Sequence, residues 1–229
     1  MNILPNKQIL WWSLPYTNNK VANKLFLMVD TVLSYNNDTY DSGFTNLNTK
    51  IGMPPGAENY TIMCSISNPY VSMYTAWREA CLKKYKVLPT LKEWFKINAG
   101  IKAKLTTYSE SDLSTTTDFL LENAKNILNR EPDYFINSDS LKEGINKIPQ
   151  LQSPLLTDTI FNSIVETITL NEKNSFMNSI SNGKIINTNK VDLFSSWKNN
   201  YDDELAELVY SLLEKDFIQF NFDKDSWKQ

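Results

Sequence analysis

Signals for two helices joined at a proline occur in residues 68–100, NPYVSMYTAWREACLKKYKVLPTLKEWFKINAG. Asn68 can accept a hydrogen bond from a free amide of the first helical turn, and Pro69 suits the first helical position, where an amide has no intrahelical partner. Thr90 and Glu93 have the spacing of a capping box, so a second helix should begin there and end near the closing glycine. The stretch therefore predicts a helical corner.

The first helix of this corner carries aromatic and apolar residues on one face. They are Tyr70, Tyr74, Trp77, Cys81, Tyr85 and Leu88. A stripe at helical spacing is more often a core face than a ligand platform. It predicts that Cys81 is a buried thiol, and Cys64, the only other cysteine, is expected to be reduced and buried as well. Two cysteines are too few for a disulfide framework or a thiolate metal site.

Hydrophobic periodicity predicts further elements on both sides of the corner. Residues 18–35 are predicted to form a helix, residues 36–59 a long surface loop, and residues 60–66 one short strand. Beyond the corner, apolar residues at helical spacing predict helices over residues 113–128, 160–168 and 205–213.

Two patterns near the C-terminus predict β structure. Residues 175–188 contain polar-apolar runs that flank Asn182 and Gly183, residue types that accept the positive φ of a tight hairpin turn. In residues 217–227 three apolar side chains alternate with polar ones, as in a short strand with one apolar face. These side chains are Ile218, Phe220 and Phe222.

Together these elements predict a mainly α protein with a small β component: a helical bundle of about five to six helices, a β-hairpin and an extended C-terminal tail. Prolines at both ends of residues 148–154 make this segment the best candidate boundary. The predicted regions are a helical bundle over residues 1–150 and a helix, hairpin, C-terminal helix and tail over residues 151–229. One continuous domain is the alternative, and 229 residues suffice for either.

Charge and hydropathy exclude several classes of protein. The formal net charge of −3 gives no overall attraction to nucleic acid or anionic membranes. No stretch approaches the roughly 20 apolar residues of a membrane-spanning helix, and the N-terminus lacks the apolar core of a signal peptide. We therefore expect no membrane span, no secretion by a signal peptide, and a cytoplasmic location, or a virion if the protein is viral.

The chain lacks most residues that carry catalysis. Histidine, the usual general base and commonest metal ligand, is absent, and the six glycines are too scattered for a phosphate-binding loop. The densest acidic cluster could form a catalytic pair or a cation site, but acids in the first turn of a helix are also stabilised by its free amides. We predict no enzyme activity, catalytic residue, metal site or cofactor. The acids concerned are Asp202, Asp203, Glu204 and Glu207.

Opposite charges are concentrated in two segments. Residues 78–104 carry eight basic residues against two acids, whereas residues 201–229 carry eight acids against three lysines. Lysines mostly position a protein on phosphates and do not by themselves read bases. A small nucleic-acid-binding or regulatory module that uses residues 78–104 is the alternative function, and a solvated lysine face is the simplest interpretation. Candidate contacts with phosphate or an acidic partner are Arg78, Lys83, Lys84, Lys86, Lys92 and Lys96.

Aromatic residues near both chain ends and the predicted hairpin tip are candidate interface residues, because aromatic side chains are favoured interface anchors. They are Trp11, Trp12, Asn182, Gly183, Phe220, Phe222 and Trp227. The competing interpretation is that both ends fold back onto the core of the chain itself. In a ring, the basic face of one copy could meet the acidic face of the next.

The order of these elements, in an Asn-, Lys- and Ile-rich chain without enzymatic motifs, resembles head-to-tail adaptor or connector proteins of short-tailed bacteriophages, including crAss-like phages. The resemblance covers the overall pattern of the chain and assigns no functional residue. It implies a structural subunit of a viral particle, in a dodecameric ring beneath the portal that joins head to tail. It also implies other copies of the chain and a portal or tail component as partners, with the hairpin and tail contacting neighbours. A lysine-rich face could then border the DNA channel, in non-specific proximity to DNA.

Overall fold

The computed structural model describes residues 2–4, 8–13, 45–46, 56, 58–102, 130–152 and 157–228. Within these ranges the strands are β1 (Asn2–Leu4), β2 (Ile9–Ser13), β3 (Thr45–Asn46), β4 (Thr61–Ile66) and β5 (Tyr134–Asn137). The helices are α1 (Pro69–Lys83), α2 (Leu91–Lys102), α3 (Leu141–Asn146), α4 (Asp158–Ser181) and α5 (Asp203–Gln219). The prediction of a mainly α protein with a small β component is confirmed. The helices predicted over residues 18–35 and 113–128 lie outside the described residues.

The chain forms two compact units, and both are discontinuous in sequence. The first contains Met1–Ser67 and Leu120–Thr169, and the second contains Asn68–Phe119 and Leu170–Gln229. These ranges differ from a division after residue 150. In the part of the chain that the structure describes, no helix is long and apolar enough to cross a membrane.

The first unit contains a five-stranded sheet in the order β3-β1-β2-β4-β5. β1 pairs with β2 and β3 in antiparallel orientation, whereas β4 pairs with β2 and β5 in parallel. The strand predicted over residues 60–66 is confirmed as β4. β3 lies inside residues 36–59, which were predicted to be loop, because its two residues pair with β1 and not with a local neighbour.

The core of the first unit combines sheet residues with the helical segments that follow β5. Its buried members are Ile9, Trp11, Met63, Ile136, Leu141, Ile145, Ile148, Leu151 and Ile164. Gly144 of α3 lies so close to Ile136 that any larger side chain would collide with it. The packing of α3 against β5 therefore depends on glycine at this position.

In the second unit, the two predicted helix starts are confirmed by their hydrogen bonds. The Asn68 side chain accepts from the amide of Tyr70 at 3.0 Å, and Pro69 occupies the first helical position of α1. The amide of Thr90 donates to Glu93 Oε2 at 2.7 Å, and the amide of Glu93 donates to Thr90 Oγ1 at 3.2 Å. These reciprocal bonds are the capping box that the sequence predicts.

The aromatic stripe of α1 faces the core of the second unit. Tyr70 packs edge-on against Tyr201 and Phe217, with ring centroids 5.0 Å apart in both pairs. The Tyr74 hydroxyl donates to the carbonyl of Leu193 at 2.8 Å, and burial raises the pKa of Tyr74 to about 12. The stripe prediction is confirmed for α1, although the helix ends at Lys83, before the last two stripe positions.

The predicted β-hairpin over residues 175–188 is wrong, because α4 continues to Ser181. Gly183 has a φ of +67° and ends the helix: its amide donates to the carbonyl of Ile180 at 2.9 Å. The amide of Lys184 donates to the carbonyl of Ser179, also at 2.9 Å. This pair of bonds is a Schellman motif, in which a residue of positive φ closes a helix. The Asn-Gly pair therefore serves a helix end and not a hairpin.

The predicted C-terminal strand is wrong for the same reason. α5 continues to Gln219, and Asn221 has a φ of +53° just beyond it. The amide of Phe222 donates to the carbonyl of Phe217 at 3.0 Å, and that of Asn221 to the carbonyl of Ile218 at 3.4 Å. A second Schellman motif thus ends the last α-helix, and a single 3-10 turn follows over Ser226–Lys228.

Candidate functional site

The start of α5 and the exposed face of α2 meet through charged side chains in the second unit. Lys92 Nζ lies 2.8 Å from Asp202 Oδ2 and 2.6 Å from Glu204 Oε2. Lys96 Nζ lies 2.6 Å from Glu204 Oε1. The basic and acidic segments therefore neutralise each other in part within one chain. The expectation that the basic and acidic faces also meet between copies in a ring stays a prediction.

The acids at the start of α5 have structural roles. Asp202 Oδ1 accepts from the amide of Leu205 at 2.8 Å and caps the helix. The bond from Lys92, followed by this amide bond, lowers the pKa of Asp202, and Lys92 and Lys96 lower the pKa of Glu204. Both groups are therefore ionised at neutral pH. The interpretation of these acids as stabilising a helix start is confirmed, and no group of three or more candidate metal ligands occurs among the described residues.

Asp202→Asn is expected to make the second unit less sensitive to acid. The pKa of Asp202 is lowered in the folded protein but returns to about 4 on unfolding, so the unfolded chain binds the proton first as the pH falls. The contribution of the ion pair is thus present at neutral pH and is lost as the pH falls below about 5 and through the lowered pKa. Melting temperatures followed by circular dichroism should fall less steeply with acid in Asp202→Asn than in the wild type.

Two further variants separate charge from capping. Asp202→Ala loses the cap as well and should lower the free energy of unfolding by about 1 kcal/mol at neutral pH, whereas asparagine keeps a good cap. Asp203→Asn is the matched control, because the Asp203 carboxylate forms no ion pair with any described side chain. Equal acid sensitivity in the wild type and Asp202→Asn would contradict the assignment.

The other basic candidates lie on or just after α1. Arg78 pairs with Glu172 at 3.4 Å, and Lys83 pairs with Glu79 at 2.6 Å. Lys84 and Lys86 are exposed. Most of the predicted phosphate-contacting residues therefore have carboxylate partners inside the chain, and a phosphate would have to compete with them.

Both cysteines are fully buried, each in a different unit. They are free thiols, as predicted. Burial raises the pKa of Cys81 to about 12 and raises that of Cys64 even further. Neither thiol is therefore a nucleophile near neutral pH.

Trp11 is only 1% exposed, so the prediction that it is an interface residue is wrong. Its indole Nε1 donates to Ser65 Oγ at 2.8 Å, inside the core of the first unit. The physical reason is that β2 pairs with strands on both sides and is not a free chain end. The side chain of Trp12, the next residue, lies outside the described part.

The other candidate interface residues lie at the two corrected helix ends and in the tail. Asn182 and Gly183 are exposed in the cap of α4. Phe220 and Phe222 are half-buried with their ring centroids 6.3 Å apart, and Trp227 is half-buried. These aromatic rings are thus partly covered by the chain itself.

A depression of about 280 Å³ lies in the first unit between β4 and the segment before β5. Arg130 donates there to the carbonyl of Tyr60, and Asp133 Oδ2 accepts from the amide of Ile62 at 2.7 Å. The guanidinium also lies 3.4 Å from Asp133 Oδ2. The charged groups of the depression therefore hold two chain segments together.

Exposed aliphatic residues of the second unit are a feature that the sequence patterns did not predict. Leu170 and Met177 on α4 are 58% and 52% exposed, and Val87 and Ile186 are 50% and 43% exposed. On α4, the seven-residue spacing of Leu170 and Met177 could have indicated a shared helix face. This face is separate from the apolar stripe predicted over residues 160–168. For Val87 and Ile186 no local signal exists, because their exposure depends on long-range pairing.

Comparison of the chain with protein-family models, with curated proteins and with solved structures found no match.

Proposed function

We propose that this chain is a non-enzymatic structural subunit that docks to other copies of itself and to other structural proteins. The observation that carries the proposal is an exposed face of α4 with two large apolar side chains. Leu170 and Met177 lie about two helical turns apart, so they share this face. Packing the face against another chain would remove large apolar side chains from water, which favours association.

The resemblance to phage connector proteins gives the proposal its specific form. The assembly would be a ring that joins the portal and head of a viral particle to its tail. Head-to-tail contacts close into such rings when each copy presents two different surfaces. The face of α4 supplies one apolar surface for a contact of this kind.

Nucleic-acid binding through residues 78–104 has less support. Lys92 and Lys96 are held by carboxylates of α5, and Arg78 and Lys83 also have acidic partners. Phosphate binding would therefore require these ion pairs to open, and each opened pair leaves a carboxylate near the phosphate.

Native mass tests the proposed function. We expect the purified full chain to form oligomers, visible by light scattering or native mass spectrometry, and electron microscopy should show rings. Leu170→Asp should weaken the association at least about tenfold, because a carboxylate would be buried in the contact. Ile218→Asp is the control, since Ile218 is exposed and belongs to another helix, α5. A wild-type chain that is monomeric at high concentration, alone and with portal and tail components, would contradict the proposal.

A further inference from the structure

Two exposed aliphatic residues of the second unit are neighbours across a β-bridge. Val87 and Ile186 are partners in an isolated parallel bridge. Bridge partners place their side chains on the same face of the two paired segments, close enough to touch. Because both side chains are about half exposed, this face presents a small apolar surface to solvent.

Within the part of the chain that the structure describes, the backbone of Val87 forms an open edge of this bridge. The amide of Ile186 donates to the carbonyl of Lys86 at 2.6 Å, and the amide of Leu88 donates to the carbonyl of Ile186 at 3.1 Å. In this pattern the amide and carbonyl of Val87 point to the other side of the segment. Neither group has a hydrogen-bond partner within the described ranges. Such an edge is a template for a further strand.

The two chain segments that form this edge, residues 84–90 and 184–190, contain lysines and no acids. After the end of α1, the acid nearest to Val87 in sequence is Glu93, and the acid nearest to Ile186 is Asp192. Both carboxylates already accept hydrogen bonds from backbone amides. Three lysines flank the bridge in the chain, and none forms an ion pair with a residue that the structure describes. They are Lys86, Lys184 and Lys190.

We propose that the Val87 edge docks an extended acidic peptide segment of another protein by strand addition. The added strand pairs with the amide and carbonyl of Val87 and places an aliphatic side chain beside Val87 and Ile186. Its carboxylates interact with the flanking lysines. This inference rests on the proposed function, because it names one docking surface of the structural subunit and the chemistry of the partner.

A synthetic peptide tests this edge in the full-length chain. The probe is a fluorescent, end-capped peptide of alternating aspartate and valine, and binding is measured by fluorescence anisotropy. One control peptide has lysine in place of aspartate. A second is N-methylated at every residue, which keeps the side chains but removes every amide that could donate to the Val87 carbonyl. We expect both controls to bind at least about tenfold more weakly, because each lacks one of the two recognition elements.

Variants of the chain locate the binding site. Val87→Asp should weaken binding of the acidic peptide at least about tenfold, and Lys86→Glu about fivefold. Ile218→Asp and Lys173→Glu are the controls, because they introduce the same acidic residues at exposed positions on α5 and α4. Circular dichroism checks that each variant folds. If Val87→Asp does not fold, Lys86→Glu alone still decides the test.

The inference is overturned if the acidic peptide does not bind, if its N-methylated form binds equally well, or if Lys86→Glu leaves its affinity unchanged. If the chain forms an oligomer but does not bind the acidic peptide, this inference is overturned and the proposed function is not contradicted. A chain that binds the peptide at the Val87 edge but stays monomeric with every structural partner contradicts only the proposed function.

Discussion

Trp77→Ala is expected to lower the free energy of unfolding of the second unit by about 3–5 kcal/mol. Trp77 is fully buried, and its ring centroid lies 5.5 Å from that of Tyr74. Its indole Nε1 donates to the carbonyl of Pro89 at 3.0 Å. Alanine would leave a large cavity beneath α1 and would remove the donor that ties α1 to the corner before α2.

Guanidinium unfolding followed by circular dichroism measures this loss. Trp77→Phe is the matched variant, because it keeps an aromatic ring in the core and removes the indole donor together with part of the ring volume. It should therefore lose less stability than Trp77→Ala. Ile218→Ser, at an exposed position, should change little. If Trp77→Ala shifted the unfolding midpoint no more than Ile218→Ser, the packing described for α1 would be incorrect.

The helix starts were predictable because their signals are local. The capping box joins Thr90 to Glu93, and the cap of α1 joins Asn68 to Tyr70, so each is contained in a few residues. The first-turn acids of α5 were interpreted correctly for the same reason. In each case one side chain satisfies an amide that any helix start leaves unpaired.

The helix ends were harder to predict because residues that accept positive φ occur both in hairpin turns and at helix ends. Gly183 and Asn221 both adopt positive φ, which a hairpin turn requires and which a Schellman motif also requires. The residue type therefore locates a reversal of the chain without saying whether a strand or a helix precedes it. Helical spacing in residues 160–168 could have been extended further, and α4 does continue to Ser181.

The sheet and the charged contact depend on residues far apart in sequence. β2 pairs with β4, and β4 pairs with β5. Long segments separate these strands in sequence, and no local pattern predicts which strands pair. Opposite charge in two segments was evident from composition, but the contact of Lys92 with Asp202 was not. Only packing of α2 near the start of α5 brings these groups together. The exposed edge at Val87 arises in the same way, from a bridge to a distant residue.

Trp11→Ala is expected to lower the free energy of unfolding of the first unit by about 3–5 kcal/mol. The indole fills a core built from the sheet and the helical segments that follow β5, and its loss leaves a cavity among the side chains of that core. It also leaves the buried hydroxyl of Ser65 without its indole partner, which adds a desolvation cost of about 1–3 kcal/mol where no water enters. Guanidinium unfolding should show this destabilisation as an earlier transition.

Native mass separates this core role from the interface role that the sequence first suggested for Trp11. A core residue affects the stability of one chain, so Trp11→Ala should keep the wild-type native mass at temperatures where the first unit is still folded. An interface anchor would show the opposite pattern, with a lower native mass and an unchanged unfolding transition. Trp11→Phe should fall between wild type and Trp11→Ala in stability, because it keeps most of the apolar volume and loses the bond to Ser65. A graded loss of stability at constant native mass can arise only if the side chain supports the fold of its own chain.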